Sequence, residues 1–277
     1  MLKKLTNKIM SRLNNDNQKE MPDKLILIVG CYNSGTTVLN HILSNHEEIT
    51  GLDTEGVSLT KELKTPEDFG WNRLWYKCQD KLEISKLTKQ PDVEQIKRDW
   101  ARYFDSNKPF ALEKSIVNGL NIDWFEKQFN HPHFIFIVRN GYTVAEGIRR
   151  RTLNKKRNGF SPGEPYPIEW CAEQWVISNK LISKKLSNVK NSYQLLYEDL
   201  MDNYNQTIQE LLEWLPVQSK ILEKPDSFRF HQETLPIKNM NYSSLKNLSR
   251  DDIEKINKIA KDYLKHWGYE ILSDTVD

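Results

Sequence analysis

Residues 30–37, Gly-Cys-Tyr-Asn-Ser-Gly-Thr-Thr, set two glycines five apart ahead of a pair of hydroxyl side chains. A loop of this kind gathers backbone N–H groups and hydroxyls at one point, which suits an anion, most naturally a phosphate. Part of it fits the pattern G-x-x-x-x-G-K-[ST], but Thr36 stands where the lysine belongs. The spacing therefore predicts phosphate binding without the usual triphosphate. The second chemical signal is Arg139, directly after the apolar run Phe134–Val138. It is a permanent cation whose planar fork fits a phosphate. No apolar run ends in the Asp that would hold Mg²⁺, which argues against a nucleoside triphosphatase or kinase. An anion site made of amides, Arg and Lys needs no metal. His131 and His133 have no third ligand near in sequence, and Ser34 lies in no G-x-S-x-G turn. Cys31 has no evident partner base and reads as a small apolar residue.

These groups need elements to position them. Leu25–Val29 reads as a strand buried on both faces, and from Thr36 onward Val38, Leu39, Ile42 and Leu43 return at helical spacing. Phe110–Leu112 is a short apolar stretch followed at once by Glu113, Lys114 and Ser115. Phe134–Val138 is the second clear strand, and Thr143–Thr152 a helix ending in Arg149, Arg150 and Arg151. Two strand-to-helix turns with polar groups at the strands' C-terminal ends are the pattern of a parallel α/β sheet. Further helices are expected over Asn121–Phe129, Glu169–Leu186 and Tyr204–Leu215, and one N-capped by Ser249. Ser192–Leu196 reads as a third strand, before Tyr197. Thr65–Asn107 reads as a mostly helical insertion with Trp71, Trp75, Tyr76 and Trp100 as core. Asn154–Pro167, rich in Lys, Gly and Pro, reads as a mobile loop, and Pro216–Asn247 as irregular.

Composition sets the outer bounds. The chain has 277 residues, 38% hydrophobic and 28% charged, and a net charge of +2, which makes no case for nucleic acid. Cys31, Cys78 and Cys171 are few and odd in number, so a reduced, cytoplasmic setting without disulfides is expected. No apolar run approaches the roughly 20 residues of a membrane helix. Residues 1–22 read as a tail, 23–272 as a single domain and 273–277 as a second tail. In the first tail Leu2, Leu5, Ile9 and Leu13 share a face. A frayed end or a packed helix is expected there, with membrane-surface contact through residues 1–13 as the alternative. Oligomeric state is not legible.

The loop GCYNSGTTVLNHIL resembles the 5′-phosphosulfate loop of sulfotransferases that use 3′-phosphoadenosine-5′-phosphosulfate (PAPS). FIFIVRNGYTVAEGIRRR, at Phe134–Arg151, looks like that family's 3′-phosphate motif. ALEKS at Ala111–Ser115, YEDL at Tyr197–Leu200 and NMNYSSLKNLS at Asn239–Ser249 follow in the family's order, so the likeness runs from about Lys24 to Tyr269. It is closest to the bacterial and protein-tyrosine branches. The resemblance implies a P-loop-like, three-layer α/β fold, a central parallel sheet flanked by helices with helical insertions. It further implies PAPS as donor, no metal, and a hydroxylated acceptor: a sugar, a peptide tyrosine or a small alcohol. It assigns the 5′-phosphosulfate to Asn33, Ser34, Gly35, Thr36 and Thr37, and the 3′-phosphate to Arg139 with Arg151. Lys114 would reach the sulfuryl group, and Tyr197 and Ser244 would lie near the nucleotide. Glu55 would be the general base, with Asp53 as the fallback.

Two positions depart from the pattern. Asn33 stands where the family usually has Arg or Lys, and Gly147 where it usually has Ser. Lys114 and Arg149–Arg151 are expected to compensate for the missing cation. Two rival readings stay open: a non-catalytic nucleotide- or partner-binding protein on this fold, and a P-loop phosphotransferase.

Overall fold

In β1 (Lys24–Gly30) successive side chains leave on opposite faces, and both faces are buried. Leu25, Leu27 and Val29 join one hydrophobic cluster, while Ile26 and Ile28 join another. The chain is thereby committed to three layers. The computed structural model describes residues 19–230 and 233–273. Within them β1 leads through the glycine loop to α1 (Thr36–Ser44) and then to β2 (Ile49–Gly51). The insertion carries α2 (Gln79–Leu82) and α3 (Val93–Ala101) and ends in β3 (Phe110–Glu113). After α4 (Ile122–Gln128) come β4 (His133–Val138), α5 (Gly141–Thr152), α6 (Ile168–Leu186) and β5 (Ser192–Leu196). Next are α7 (Tyr197–Asp202), α8 (Tyr204–Trp214), an antiparallel hairpin of β6 (Ser227–Phe230) and β7 (Glu233–Pro236), α9 (Asn241–Leu245) and α10 (Arg250–His266).

The five-stranded sheet is parallel throughout, in the order β2-β3-β1-β4-β5. β1 is central, with Leu25 opposite Ala111 on one side and Leu27 opposite Phe134 on the other. The crossovers diverge on either side of β1, so the crevice for a ligand opens at the C-terminal ends of β1, β3 and β4. Helices α5, α6 and α10 cover one face of the sheet, and α1, α7 and α8 the other. The expected fold class is thus observed.

Most expected elements are present, including Ser249 as N-cap of α10, completed by a reciprocal capping box with Asp252. Four readings differ. Ile49–Gly51, where no strand is expected from the sequence, adds the edge strand β2. Pro216–Asn247 is not wholly irregular, because it contains the β6–β7 hairpin and α9. The insertion is built mainly of short 3₁₀ turns, such as Pro66–Phe69 and Trp75–Cys78, with only α2 and α3 as α-helix. Its shape follows packing: Trp75 and Trp100 are fully buried, and Trp100 stacks on Phe125 and Phe129. Asn154–Pro167 is folded around the buried Arg157. That guanidinium donates to the carbonyls of Leu153, Lys155, Ser161 and Glu164 and lies over the rings of Phe160 and Tyr166. A Lys/Gly/Pro composition conceals a core made from one cation and backbone oxygens.

Among the described residues no helix is long and apolar enough to cross a membrane. Most of the first tail, with its apolar stripe over residues 1–13, and all but residue 273 of the second lie outside the described residues.

Candidate active site

The glycine loop turns twice through left-handed backbone, at Asn33 (φ 61°) and at Gly35 (φ 96°). Gly35 is required there twice over. A side chain would be strained at that φ, and a Cβ would stand 2.5 Å from the Tyr197 ring. Gly35 is the N-cap of α1, yet no side chain caps that helix. At α5, by contrast, the Asn140 side chain accepts from the amides of Tyr142 and Thr143. The first-turn N–H groups of α1 therefore have no side-chain acceptor and face the crevice with the positive end of the helix. Thr36 is buried and Thr37 half-buried in that turn.

Arg139 closes the loop from β4. Its Nη1 donates to the Asn33 carbonyl at 2.8 Å, its Nε to Asn241 Oδ1 at 2.8 Å, and its plane lies 4.1 Å from the Tyr197 ring centroid. Burial lowers its pKa, opposed by Tyr197, Glu198, Tyr269 and Glu146. Glu198 orders the surroundings, accepting from Asn140 N, Asn241 Nδ2 and the Tyr269 hydroxyl. The hydroxyl of Tyr197 donates to the Lys238 carbonyl and accepts from Met240 N. Three buried side-chain atoms at this end have no partner among the described residues: Arg139 Nη2, Asn33 Nδ2 and Ser34 Oγ. Each can donate a hydrogen bond. Buried donors left unpaired are costly, so their presence at the loop end fits a site for anions such as phosphate or sulfate.

The two departures from the family pattern touch one another. A Cβ at Gly147 would lie 3.1 Å from Asn33 Cγ and Nδ2, so the loop residue rests on the bare backbone of α5. They are one structural feature rather than two.

Lys114 and Glu55, assigned to chemistry from resemblance, form an ion pair: Lys114 Nζ lies 3.1 Å from Glu55 Oε1. The lysine side chain is 9% exposed and the glutamate 34%. What fixes Glu55 is the fully buried Glu113, which the sequence shows beside Lys114 without marking any role for it. Glu113 accepts from Gly56 N at 2.8 Å, from the Ser115 hydroxyl and from the Asn118 amide. Gly56 is held on its other side by Trp100, whose Nε1 donates to its carbonyl at 2.9 Å, and Val57 N donates to Ser115. Burial raises the Glu113 pKa to about 7, against the hydrogen bonds it accepts.

The remaining assignments divide. Ser244 is buried on α9, the short helix that also carries Asn241 and packs on α5. Arg151 sits on α5, one turn beyond Gly147, and keeps an exposed side chain. Partial desolvation and the charges of Arg73, Arg150 and Arg139 lower its pKa. The other two members of the arginine triplet are not available to the loop. Arg149 pairs with Asp252 through both terminal nitrogens, and Arg150 with Glu146. The expectation that all three compensate for Asn33 is corrected accordingly. Arg73, from the insertion, is the cation that sequence reading missed. It lies 5.5 Å from the Tyr32 ring centroid, and no motif marks it. Among the described residues no group of three or more His, Cys, Asp or Glu is placed to hold a metal ion. His131 pairs with Glu126, and His133 packs edge-on against Trp214. The three cysteines are free and buried, and burial raises the thiol pKa values of Cys31 and Cys78 to about 12.

Comparison with known proteins bears on the fold and the family. No curated protein matches the sequence. Among solved structures, the sulfotransferase domain from the curacin biosynthetic pathway aligns over 91% of this chain and 100% of its own, at 17% identity and a TM-score of 0.56. A sulfotransferase from Alicyclobacillus acidocaldarius aligns over 90% of this chain and 99% of its own, at 15% identity and a TM-score of 0.53. At such identities these likenesses establish the fold. The sequence model of the sulfotransferase family matches residues 26–220, from β1 past α8, and so takes in the loop, Glu55, Lys114 and Arg139. A match over more than half the chain, on the fold that solved sulfotransferases share, makes this chain a member of the sulfotransferase family.

Proposed function

We propose that the chain is a PAPS-dependent sulfotransferase acting on a hydroxylated acceptor. The observation that carries this reading is the trio of buried, unpartnered donors at the loop end, Arg139 Nη2, Asn33 Nδ2 and Ser34 Oγ, taken together with the Lys114–Glu55 pair. The nucleotide donor would supply an activated sulfuryl group. The amides of the loop, Ser34, Thr36 and Thr37 would hold its 5′-phosphosulfate, Arg139 and Arg151 its 3′-phosphate, and Tyr197 and Ser244 would line the nucleotide. Lys114 would balance charge on the bridging oxygen, and Glu55 would take the acceptor's proton. No metal is assigned a role. The acceptor is an alcohol, sugar or tyrosine hydroxyl, and the setting is cytoplasmic, in keeping with three free thiols.

Calorimetric titration with 3′-phosphoadenosine-5′-phosphate (PAP) in metal-free buffer tests the reading. Saturable binding is expected, and its absence would overturn the assignment. Transfer of ³⁵S-sulfate from PAPS to a panel of hydroxylated acceptors then separates an enzyme from a nucleotide-binding protein.

A further inference from the structure

Position 33 lacks a cation, and the nearby cations are mostly engaged. Arg149 is bound to Asp252, Arg150 to Glu146, and Lys114 to Glu55. Arg139 spends Nη1 and Nε on holding the loop and α9. Arg73 differs. It is half-buried, and among the described residues no hydrogen bond or ion pair reaches its guanidinium.

Its location follows from its contact with Tyr32 and from what adjoins that residue. The guanidinium lies over Tyr32, the residue before Asn33. Asn33 in turn rests on Gly147 of α5. Arg151, one helical turn beyond Gly147, feels the charge of Arg73. The short turn that carries Arg73 is fixed in place. Asn158 donates its side-chain amide to the Phe69 carbonyl and its backbone N–H to the Gly70 carbonyl, and Tyr76 N donates to Gln174 Oε1 of α6. Arg73 itself adopts a left-handed φ of 58°, a conformation uncommon outside glycine. Glu67 and Glu55 belong to the same surroundings, since both raise the Tyr32 pKa alongside its burial, yet neither forms an ion pair with Arg73.

We propose that Arg73 supplies, from the insertion, the cation that position 33 lacks, directing it at the transferred sulfuryl group. The proposal rests on the sulfotransferase reading above. In the step concerned, the acceptor oxygen bonds to sulfur as the sulfur–oxygen bond to the 5′-phosphate breaks. The electron pair stays on the phosphate oxygen, and the acceptor's proton passes to the Glu55 carboxylate. The sulfuryl oxygens carry negative charge through the step, and a fixed cation beside them stabilises it in a way that PAP, which lacks them, cannot use. Asn33 then keeps a neutral donor at the loop, and Gly147 leaves it the room to do so.

The test compares affinities for PAPS and PAP, which differ only in the sulfuryl group. Arg73→Gln is expected to weaken PAPS about tenfold or more while PAP stays within about twofold, the effect of losing one charged hydrogen bond. Arg73→Lys should keep most of the preference. Arg73→Gln combined with Asn33→Arg should restore it by returning the cation to the loop, which a purely structural role for Arg73 would not allow. Equal weakening of both nucleotides, no change in either, or failure of the double variant to recover would each overturn the proposal. A wild-type chain that binds neither nucleotide would instead remove the sulfotransferase reading itself, a distinct result from wild-type binding with an indifferent Arg73 variant.

Discussion

The loop end of the site and the Lys114 end are assembled in different ways. The loop end is a strand, a turn and a helix in unbroken succession, closed by one arginine from the neighbouring strand, and its surplus is of unpartnered donors. The Lys114 end draws Glu55, Trp100, Glu113 and Lys114 from across the insertion, and its polar groups are satisfied internally. The first has hydrogen-bonding capacity to give to a ligand, and the second holds a charged pair in one place. That contrast fits a division between holding a donor and moving a proton.

Substitutions can break this division or sharpen it. The largest expected effect is on turnover. Lys114→Met or Glu55→Gln should lower kcat by about 10²–10³ while PAP affinity stays within about twofold. An equal loss of nucleotide binding would show that the two ends are one.

Next comes the buried carboxylate. The pKa of Glu113 is raised to about 7 in the folded chain, so its favourable contribution is complete below the unfolded value of about 4.5 and is lost as pH rises through 7. Between pH 5 and 8 this amounts to roughly 3 kcal/mol of unfolding free energy. Glu113→Gln should flatten that fall in urea titrations at several pH values. A variant that keeps the wild-type slope would clear Glu113 of the effect.

Arg139→Ala belongs to the loop end. It should reduce the preference for PAP over its 3′-dephospho form by about 10–100-fold, the scale of a charge-assisted hydrogen bond to phosphate. An unchanged preference would place the 3′-phosphate elsewhere. The smallest effect is expected from Gly147→Ser, because the neighbour it crowds is a flexible side-chain end. A stability change under about 1 kcal/mol, with PAP affinity lowered only a few-fold, would fit that geometry. A larger loss would mean that Asn33 is fixed more tightly than its contacts indicate.

The contrast between the two ends also explains what could be read in the chain. β1, the loop, β4 and Arg139 are local patterns in which glycine spacing, apolar runs and a strand-end cation lie within a few residues of each other. Glu55 and Lys114 are singled out only through resemblance, since 59 positions separate them, and their ion pair is not foreseen. Although Glu113 and Asn241 fall within the ALEKS and NMNYSSLKNLS stretches, nothing in those stretches marks what they do, and Arg73 lies in no motif. Their roles come from burial, from a three-segment contact and from a turn packed on α6, none of which has a period or a spacing. Arg149 and Arg150 misled for the opposite reason: a conspicuous run of charge that tertiary partners neutralise.

The guanidinium of Arg139 ties residue 33 to residue 241. All five strands of the parallel sheet are complete by residue 196, so a nascent chain could pair them well before Asn241 leaves the ribosome. Such an intermediate would already have its sheet but would lack one of the acceptors that aim Arg139. The scaffold can therefore form early during synthesis, whereas the proposed anion site would be completed late, as the α9 segment docks.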